Sequence, residues 1–456
     1  MSEKINTTKL KILYNADILA HWCSDSASRS GIFFVALNIL KELLKRDNIK
    51  LTLTCSIMHY QSVLKLSKEY FCNYDIKILI TDVPEFIAHI IPYNNKIIKA
   101  AASAENPSKI KNDKLFKKII KKFLFHVVMN PIKHILSTLN YVKLLFINKK
   151  YDIYFSPYSK IPFWAQNNRN LKKYTVLYDT IPALLPDYSC EKVKTGGWYL
   201  DLVNSFNKEY FYFAISENTK QDFLKLYGKK LDSEKIYVTP LACNENFTIA
   251  DESIINQAKA KYHIPNDKKY IFSLCTLEPR KNLLRAVKTF VEFIKKNKID
   301  NLVFVLGGGH WDEFITILNN EIAELDIYKA KIIKIGYVED KDLAALYSGA
   351  EWFVYTSMYE GFGLPPLEAM SCGCPVITSN NSSLPEVVGE AGIMINYDSD
   401  DEHIRAYENY YYNKDLREKN KINGIKRAKQ FSWEKCVDII YEQFYREINE
   451  SKIERK

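Results

Sequence analysis

Two carboxylates and two cations, each pair closely spaced, are the residues of this chain best suited to chemistry. Glu360 and Glu368 stand eight positions apart in SMYEGFGLPPLEAMSCG (357–373), where a strand-like run passes through a Gly-rich turn into a helical one. Gly361 and Gly363 let the backbone come close to a ligand. The helix start near Leu364 offers unpaired N–H groups to an anion. Glu368, on the first turns of that helix, reaches hydroxyls of a ribose or sugar, and Glu360 ends the strand facing the expected cleft. Arg280 and Lys281 lie in LCTLEPRKNL (274–283), where another strand gives way to a helix. Adjacent cations at a strand's carboxyl edge neutralise a diphosphate. Each motif alone also fits a plain structural role, as turn glycines at a helix start or as Asn282 capping a helix after Pro279.

These residues need a scaffold that ends several strands at one edge. Short β-branched and aromatic runs alternate with longer helical patterns along the whole chain, which is the signature of parallel sheets with crossover helices. Strand candidates in the first half are KLKILYNADIL (9–19), LTLTCSIM (51–58), IKILIT (76–81), DIYFSPY (152–158), YTVLYD (174–179), FAIS (213–216) and IYVTPLA (236–242). After a polar stretch from Asn244 to Lys269 the cycle restarts with YIFSLCTL (270–277), LVFVLGGG (302–309), KIIKIGYV (331–338), WFVYTS (352–357) and PVITSN (375–380). The expected fold is α/β, with two doubly wound Rossmann-like domains facing a central cleft at the carboxyl ends of their strands. The expected boundaries are 1–243, completed by a C-terminal helix at 432–456, and 244–431.

Composition narrows the class. The 456 residues are 47% hydrophobic and 26% charged, with 15 Gly and 15 Pro, which excludes disorder, collagen and coiled coil. No apolar run approaches the length of a spanning helix, and Met1–Lys11 lacks the apolar core of a signal peptide. Nine scattered cysteines without CxxC spacing read as reduced thiols in a cytosol. The net charge of +10 is local: between Ser108 and Lys150 stand eleven Lys or Arg against one acid, Asp113, and the rest of the chain balances.

Together the motifs resemble glycosyltransferase family 4, the retaining GT-B enzymes that use nucleotide sugars. The resemblance rests on RKN after a strand, EGFGLPPLE, GCPVITSNNSSLPEVVGEAG, GYV (336–338) and FSWEKC (431–436), and in the first half on YDTIPALLPDYS (178–189) and ISENTKQDF (215–223). It is strong over about 265–436, recognisable over 174–242, thin over 1–60, and absent across 85–150. It implies that Arg280 and Lys281 bind the donor diphosphate and support the leaving group. Glu360 would contact the transferred sugar and Glu368 the nucleotide ribose, with Gly361, Phe362, Gly363 and Leu364 around them. Backbone at Gly336, Tyr337 and Val338 would line the base pocket, and Gly31 would approach the diphosphate from the other domain. Many relatives have His-Asp where this chain has Tyr178-Asp179, so the family histidine's work falls here to Tyr178, to Asp179, or to neither.

The same resemblance implies no metal and no cofactor, the nucleotide sugar being a substrate. Asp398-Ser399-Asp400 spells a metal-binding DxD, but its place before a helical pattern favours capping. The expected donor is GDP-mannose, from the likeness of LEPRKN and SNNSSLPEV to bacterial mannosyl- and related transferases of O-antigen and capsule assembly; UDP- and dTDP-sugars are the alternatives. The expected acceptor is a lipid-linked or cell-surface glycan. The insertion at about 85–150 contains LFKKIIKKFLFHVVM (115–129), with lysines from Lys114 to Lys122 on one face and apolar residues on the other, a pattern suited to an anionic membrane surface. The expected location is therefore cytoplasmic, peripheral on the inner face of the membrane. A non-catalytic sugar-nucleotide-binding protein and a nucleic-acid-binding protein are competing readings. The first would lose charge at the diphosphate site, and the second leaves the motifs of the second half unexplained.

Overall fold

Buried parallel strands read as nearly continuous apolar runs because both their faces are covered, and the core of this chain is built from such runs. They are best seen in YIFS, LVFVLG and IYFS, whose residues are buried throughout. The computed structural model describes residues 9–23, 31–82, 144, 150–188, 197–309 and 312–453. The basic insertion with Lys114–Lys122 lies outside the described residues.

The chain forms two compact units, Met1–Thr175 with Tyr441–Lys456, and Val176–Ile440. Two parallel sheets run through it. The first has the order β3-β2-β1-β4-β5-β6-β7 and the second β10-β9-β8-β11-β12-β13. In the first unit, β1 (Leu10–Asn15) pairs with β2 (Ile49–Cys55) on one side and β4 (Ile153–Ser156) on the other. Beyond these lie β3 (Lys77–Ile80) and most of β5 (Lys172–Leu177). The C-terminal helix Trp433–Ile453 enters this unit at Tyr441. There Phe444 meets Phe155 and Tyr174 edge-on, with ring centroids 5.7 and 4.6 Å away.

In the second unit, β6 (Phe211–Ala214) and β7 (Ile236–Val238) belong to the first sheet. The second sheet comprises β8 (Lys269–Leu274), β9 (Leu302–Gly307), β10 (Ile332–Gly336), β11 (Phe353–Tyr355), β12 (Val376–Ser379) and β13 (Ile393–Ile395). Its helix Leu283–Lys296 buries Leu283, Ala286, Val287, Phe290, Val291, Phe293 and Ile294. That three-and-four spacing makes one apolar stripe, which packs with Trp352, Tyr407 and Tyr410 in a shared core.

The strands stop earlier than their apolar runs suggest. β8 ends at Leu274 rather than 277, and β11 at Tyr355 rather than 357. The backbone beyond them is spent on other loops: Leu277 N–H donates to Gly309 C=O at 2.7 Å and Met358 N–H to Arg280 C=O at 2.8 Å. Arg280, Lys281 and Glu360 sit on the loops past these strand ends.

Candidate functional site

The order of the second sheet decides where chemistry can collect. Numbered within the sheet it runs 3-2-1-4-5-6, so β8 and β11 are neighbours at the point where the winding reverses. Their following loops leave the sheet's carboxyl edge in opposite directions and open a crevice there. The loop after β8 makes a 3-10 turn at Pro279–Lys281, and Asn282 adopts a left-handed φ of 58°. Asn282 makes no side-chain cap of the next helix; its amide donates instead to the Tyr397 carbonyl at 2.7 Å.

This geometry draws two cations onto one carboxylate. Arg280 Nη1 and Lys281 Nζ donate to the same oxygen, Glu360 Oε1, at 3.0 and 2.6 Å. All three side chains are nearly closed off from solvent, at 9%, 9% and 11% exposed. Arg280 also donates to the Glu278 carboxylate and the Tyr359 carbonyl. Lys281 also donates to the Tyr355 hydroxyl at 2.8 Å. Burial alone would raise the Glu360 carboxyl, but Lys281 and Arg280 outweigh it and hold the group at about 2. Such charge-assisted contacts are short and strong.

The Glu360 loop is fixed from several sides. Its N–H donates to Ser382 Oγ at 3.0 Å, and Ser383 Oγ donates to the carbonyls of Glu360 and Phe362 at 3.0 and 2.6 Å. Gly361 is needed because a Cβ there would stand 2.5 Å from the Tyr178 carbonyl oxygen. The room at Gly361 thus admits protein backbone rather than a ligand. Gly363 takes a φ of +125°, a region that disfavours side chains, just before the helix Leu364–Ser371. Ser216 and Thr219 hydroxyls donate to the Gly361 carbonyl at 2.8 and 3.1 Å. Both Glu386 oxygens accept the N–H groups of Glu217 and Asn218 at 2.7 Å, at the start of the helix Glu217–Tyr227.

Residues 255–427, which contain this cluster, match the family model for glycosyl transferases group 1. The chain carries a group 1 glycosyl transferase domain. Among curated proteins it is 33% identical over 224 residues to the O-antigen chain mannosyltransferase B of Escherichia coli, covering 49% of this chain and 57% of that one. It is 28% identical over 283 residues to a serotype-specific mannosyltransferase WbdA of Escherichia coli, covering 62% and 34%. The chain thus spans little more than half of the first relative's length and about a third of the second's. Among solved structures, a glycosyltransferase from Rickettsia africae aligns over 96% of this chain and 98% of its own, with a TM-score of 0.61 at 18% identity. Anabaena HepE in complex with UDP and glucose aligns over 96% and 99%, with a TM-score of 0.63 at 14% identity. These likenesses show the fold, two Rossmann-like domains of GT-B type.

Within the group 1 domain, Arg280, Lys281 and Glu360 are brought together. Glu368 stands apart from them on the helix Leu364–Ser371, where its Oε2 accepts from the Tyr347 hydroxyl at 3.0 Å. Burial raises its carboxyl to about 7, against the opposing hydrogen bond from Tyr347. Phe362 is buried edge-on against Phe431 at 5.9 Å, and Leu364 begins the helix. At the end of β10, Gly336 has a φ of +66° and its carbonyl accepts Gly308 N–H at 2.7 Å. Tyr337 beside it is exposed and Val338 buried.

Three of the expected residues lie before the matched region. Tyr178 is buried, with its carbonyl against Gly361. Asp179 accepts Ile181 N–H at 3.0 Å. Its carboxyl is raised by burial foremost and by Glu360, with Arg280 and Lys281 pulling the other way, so it lies within electrostatic reach of the cluster. Gly31 is the exposed first residue of the helix Gly31–Leu44, in the first unit. Asp398-Ser399-Asp400 caps a helix: Ser399 accepts from Glu402 N–H, and Arg285 donates to both aspartate carboxylates.

Sequence reasoning missed Tyr355 and Tyr359. Tyr359 flanks Glu360 directly, yet carried no signal of its own. The Tyr359 hydroxyl donates to Asp222 and accepts from Asn218 at 2.9 Å, which ties the Glu360 loop to a helix some 140 residues earlier in the chain. No local pattern could have shown that partnership.

Proposed function

We propose that this protein is a retaining, metal-independent glycosyltransferase that moves a hexose from a nucleotide sugar to a lipid-linked or cell-surface glycan. The observation that carries the reading is the pair Arg280 and Lys281 converging on Glu360 at the switch point of a group 1 domain. In the reaction the acceptor oxygen bonds to the anomeric carbon as the bond from that carbon to the donor phosphate oxygen breaks. The hydroxyl proton passes to the departing phosphate. Arg280 and Lys281 leave Glu360 to offset the charge growing on that diphosphate, which is electrostatic stabilisation by preplaced cations. Glu360, released from them, accepts hydrogen bonds from hydroxyls of the transferred sugar. Glu368 takes the ribose, and the backbone at Gly336–Val338 borders the base. Asp179 and Tyr178 flank the sugar.

Lys281→Ala is the direct test. Arg280 remains to pair Glu360, so the fold should persist, while turnover falls by about 100-fold or more. Near-normal turnover overturns the reading. EDTA should leave turnover unchanged.

GDP-mannose is the proposed donor, supported by the mannosyltransferase names of the curated relatives. GDP and GDP-mannose should raise the thermal midpoint; no shift with either, and a clear shift with UDP, assigns a UDP-sugar instead. We place the protein on the cytosolic membrane face, held by the lysines between Lys114 and Lys122. Among the described residues no helix is long and apolar enough to cross a membrane. Cosedimentation with anionic but not neutral vesicles is the expected outcome, and equal recovery with both removes the membrane role.

A further inference from the structure

Arg280 and Lys281 share one carboxylate, but they are not held equally. Arg280 keeps Glu278 and the Tyr359 carbonyl whatever Glu360 does. Among the described residues, the Lys281 ammonium donates to Glu360 and Tyr355. When a diphosphate displaces Glu360, one fixed partner is left to aim the ammonium.

We propose that Tyr355 is the positioning residue for Lys281, holding its ammonium toward the donor diphosphate. The proposal rests on the glycosyltransferase reading above. An ammonium carries three N–H donors on a flexible stem and has no direction of its own. The Tyr355 hydroxyl takes one of these at 2.8 Å, which places the nitrogen off the hydroxyl edge of the ring, 5.0 Å from its centroid. That bond restricts where the other two donors point.

Tyr355 is itself immobile. It is the last residue of β11 and 4% exposed. Its ring is stacked on Phe353 at 6.0 Å and 18°, and Phe353 in turn meets Tyr347 edge-on at 5.2 Å. Burial, and after it the nearby Glu360 carboxylate, keep the phenol protonated well above its ordinary range. It is therefore a neutral acceptor for the lysine at working pH, and it adds no charge that would compete with a diphosphate.

Tyr355→Phe removes one oxygen and keeps the ring and its stack. Calorimetric titration with GDP, and UDP in parallel, should show an affinity about tenfold weaker, or about 1.4 kcal/mol. Affinity for the matching monophosphate should stay unchanged, which also verifies the fold. In a Lys281→Ala background the same substitution should have no further effect, because Tyr355 then has nothing to position. Diphosphate affinity within twofold of the parent overturns the proposal, and so does an equal loss with and without Lys281, which would mark a merely structural role. If Lys281→Ala alone leaves diphosphate affinity unaltered, both the positioning role and the glycosyltransferase reading fall. Loss on Lys281→Ala without loss on Tyr355→Phe removes the positioning role alone.

Discussion

The two sheets have the same strand order at their centres, β3-β2-β1-β4 and β10-β9-β8-β11, yet their carboxyl edges use titratable residues in opposite ways. At the edge of the first, Asp17 Oδ1 accepts from Ser56 N–H and His59 Nδ1, both at 2.8 Å, and Asp82 accepts from Ile57 N–H. These side chains pin loop backbone, and they are open to water, with His59 42% and Asp17 30% exposed. At the edge of the second, Arg280, Lys281 and Glu360 hold one another and are about one-tenth exposed. Water weakens charge interactions at the first edge and is kept from them at the second. Burial of mutually satisfied charges, more than the presence of charged residues at a strand end, separates the second edge from the first.

The sharpest test removes the shared anion. Glu360→Gln leaves two buried cations with the Glu278 carboxylate as their remaining close counter-charge, and breaking such a cluster costs about 3–5 kcal/mol. Urea unfolding should report a loss in that range, with part recovered when a nucleoside diphosphate supplies the missing charge. A loss under about 1 kcal/mol would mean that water screens this edge as it does the other, and the contrast would be broken.

A somewhat smaller effect is expected at Glu368. Its folded-state value of about 7 lies above the ordinary 4.5, so the folded chain holds this proton more tightly than the unfolded one. Its contribution is fully present below about 4.5 and is lost as pH rises through about 7. The loss amounts to at most about 3 kcal/mol. Glu368→Gln should flatten that part of the stability profile between pH 4.5 and 7. Glu360, held at about 2, has the opposite sign: its contribution is present above about 4.5 and disappears as the pH falls toward 2. A Glu368→Gln profile as steep as the parent's would show that this carboxyl is not the source.

The smallest change belongs to the first edge. Asp17→Asn should alter stability by no more than about 1 kcal/mol, the scale of a solvent-screened pair. Its hydrogen bond to Asp17 foremost raises His59, so that pair's contribution is present below about 6.5 and fades as pH rises through the raised value. A loss above 2 kcal/mol would place this edge in the same class as the cluster around Glu360.

Much of the architecture was legible because it depends on local periodicity. The helix Leu283–Lys296 shows its apolar stripe in the sequence, and Ser399 acts as the helix cap its position suggests. The strand ends were less legible. Apolar residues continue past Leu274 and Tyr355, and only the pairing of loop backbone with Gly309 and Arg280 stops the ladder there. Gly361 was legible as a residue that must be small, but its reason was not: the close neighbour is the Tyr178 carbonyl, 183 residues earlier in the chain.

By itself the sequence determined the α/β alternation, the two winding cycles and the residue types at the site, because side-chain period and turn chemistry act over a few residues. The motifs RKN and EGFG likewise declared themselves, since their cations, carboxylate and glycines are adjacent in the chain. Tertiary structure alone decided that Arg280 and Lys281 close on the same Glu360 oxygen, that the Tyr355 hydroxyl meets the lysine, and that Tyr359 binds Asp222. Those contacts depend on which strands become neighbours. Strand order follows from how the whole chain buries its apolar faces, and no stretch of local sequence contains it.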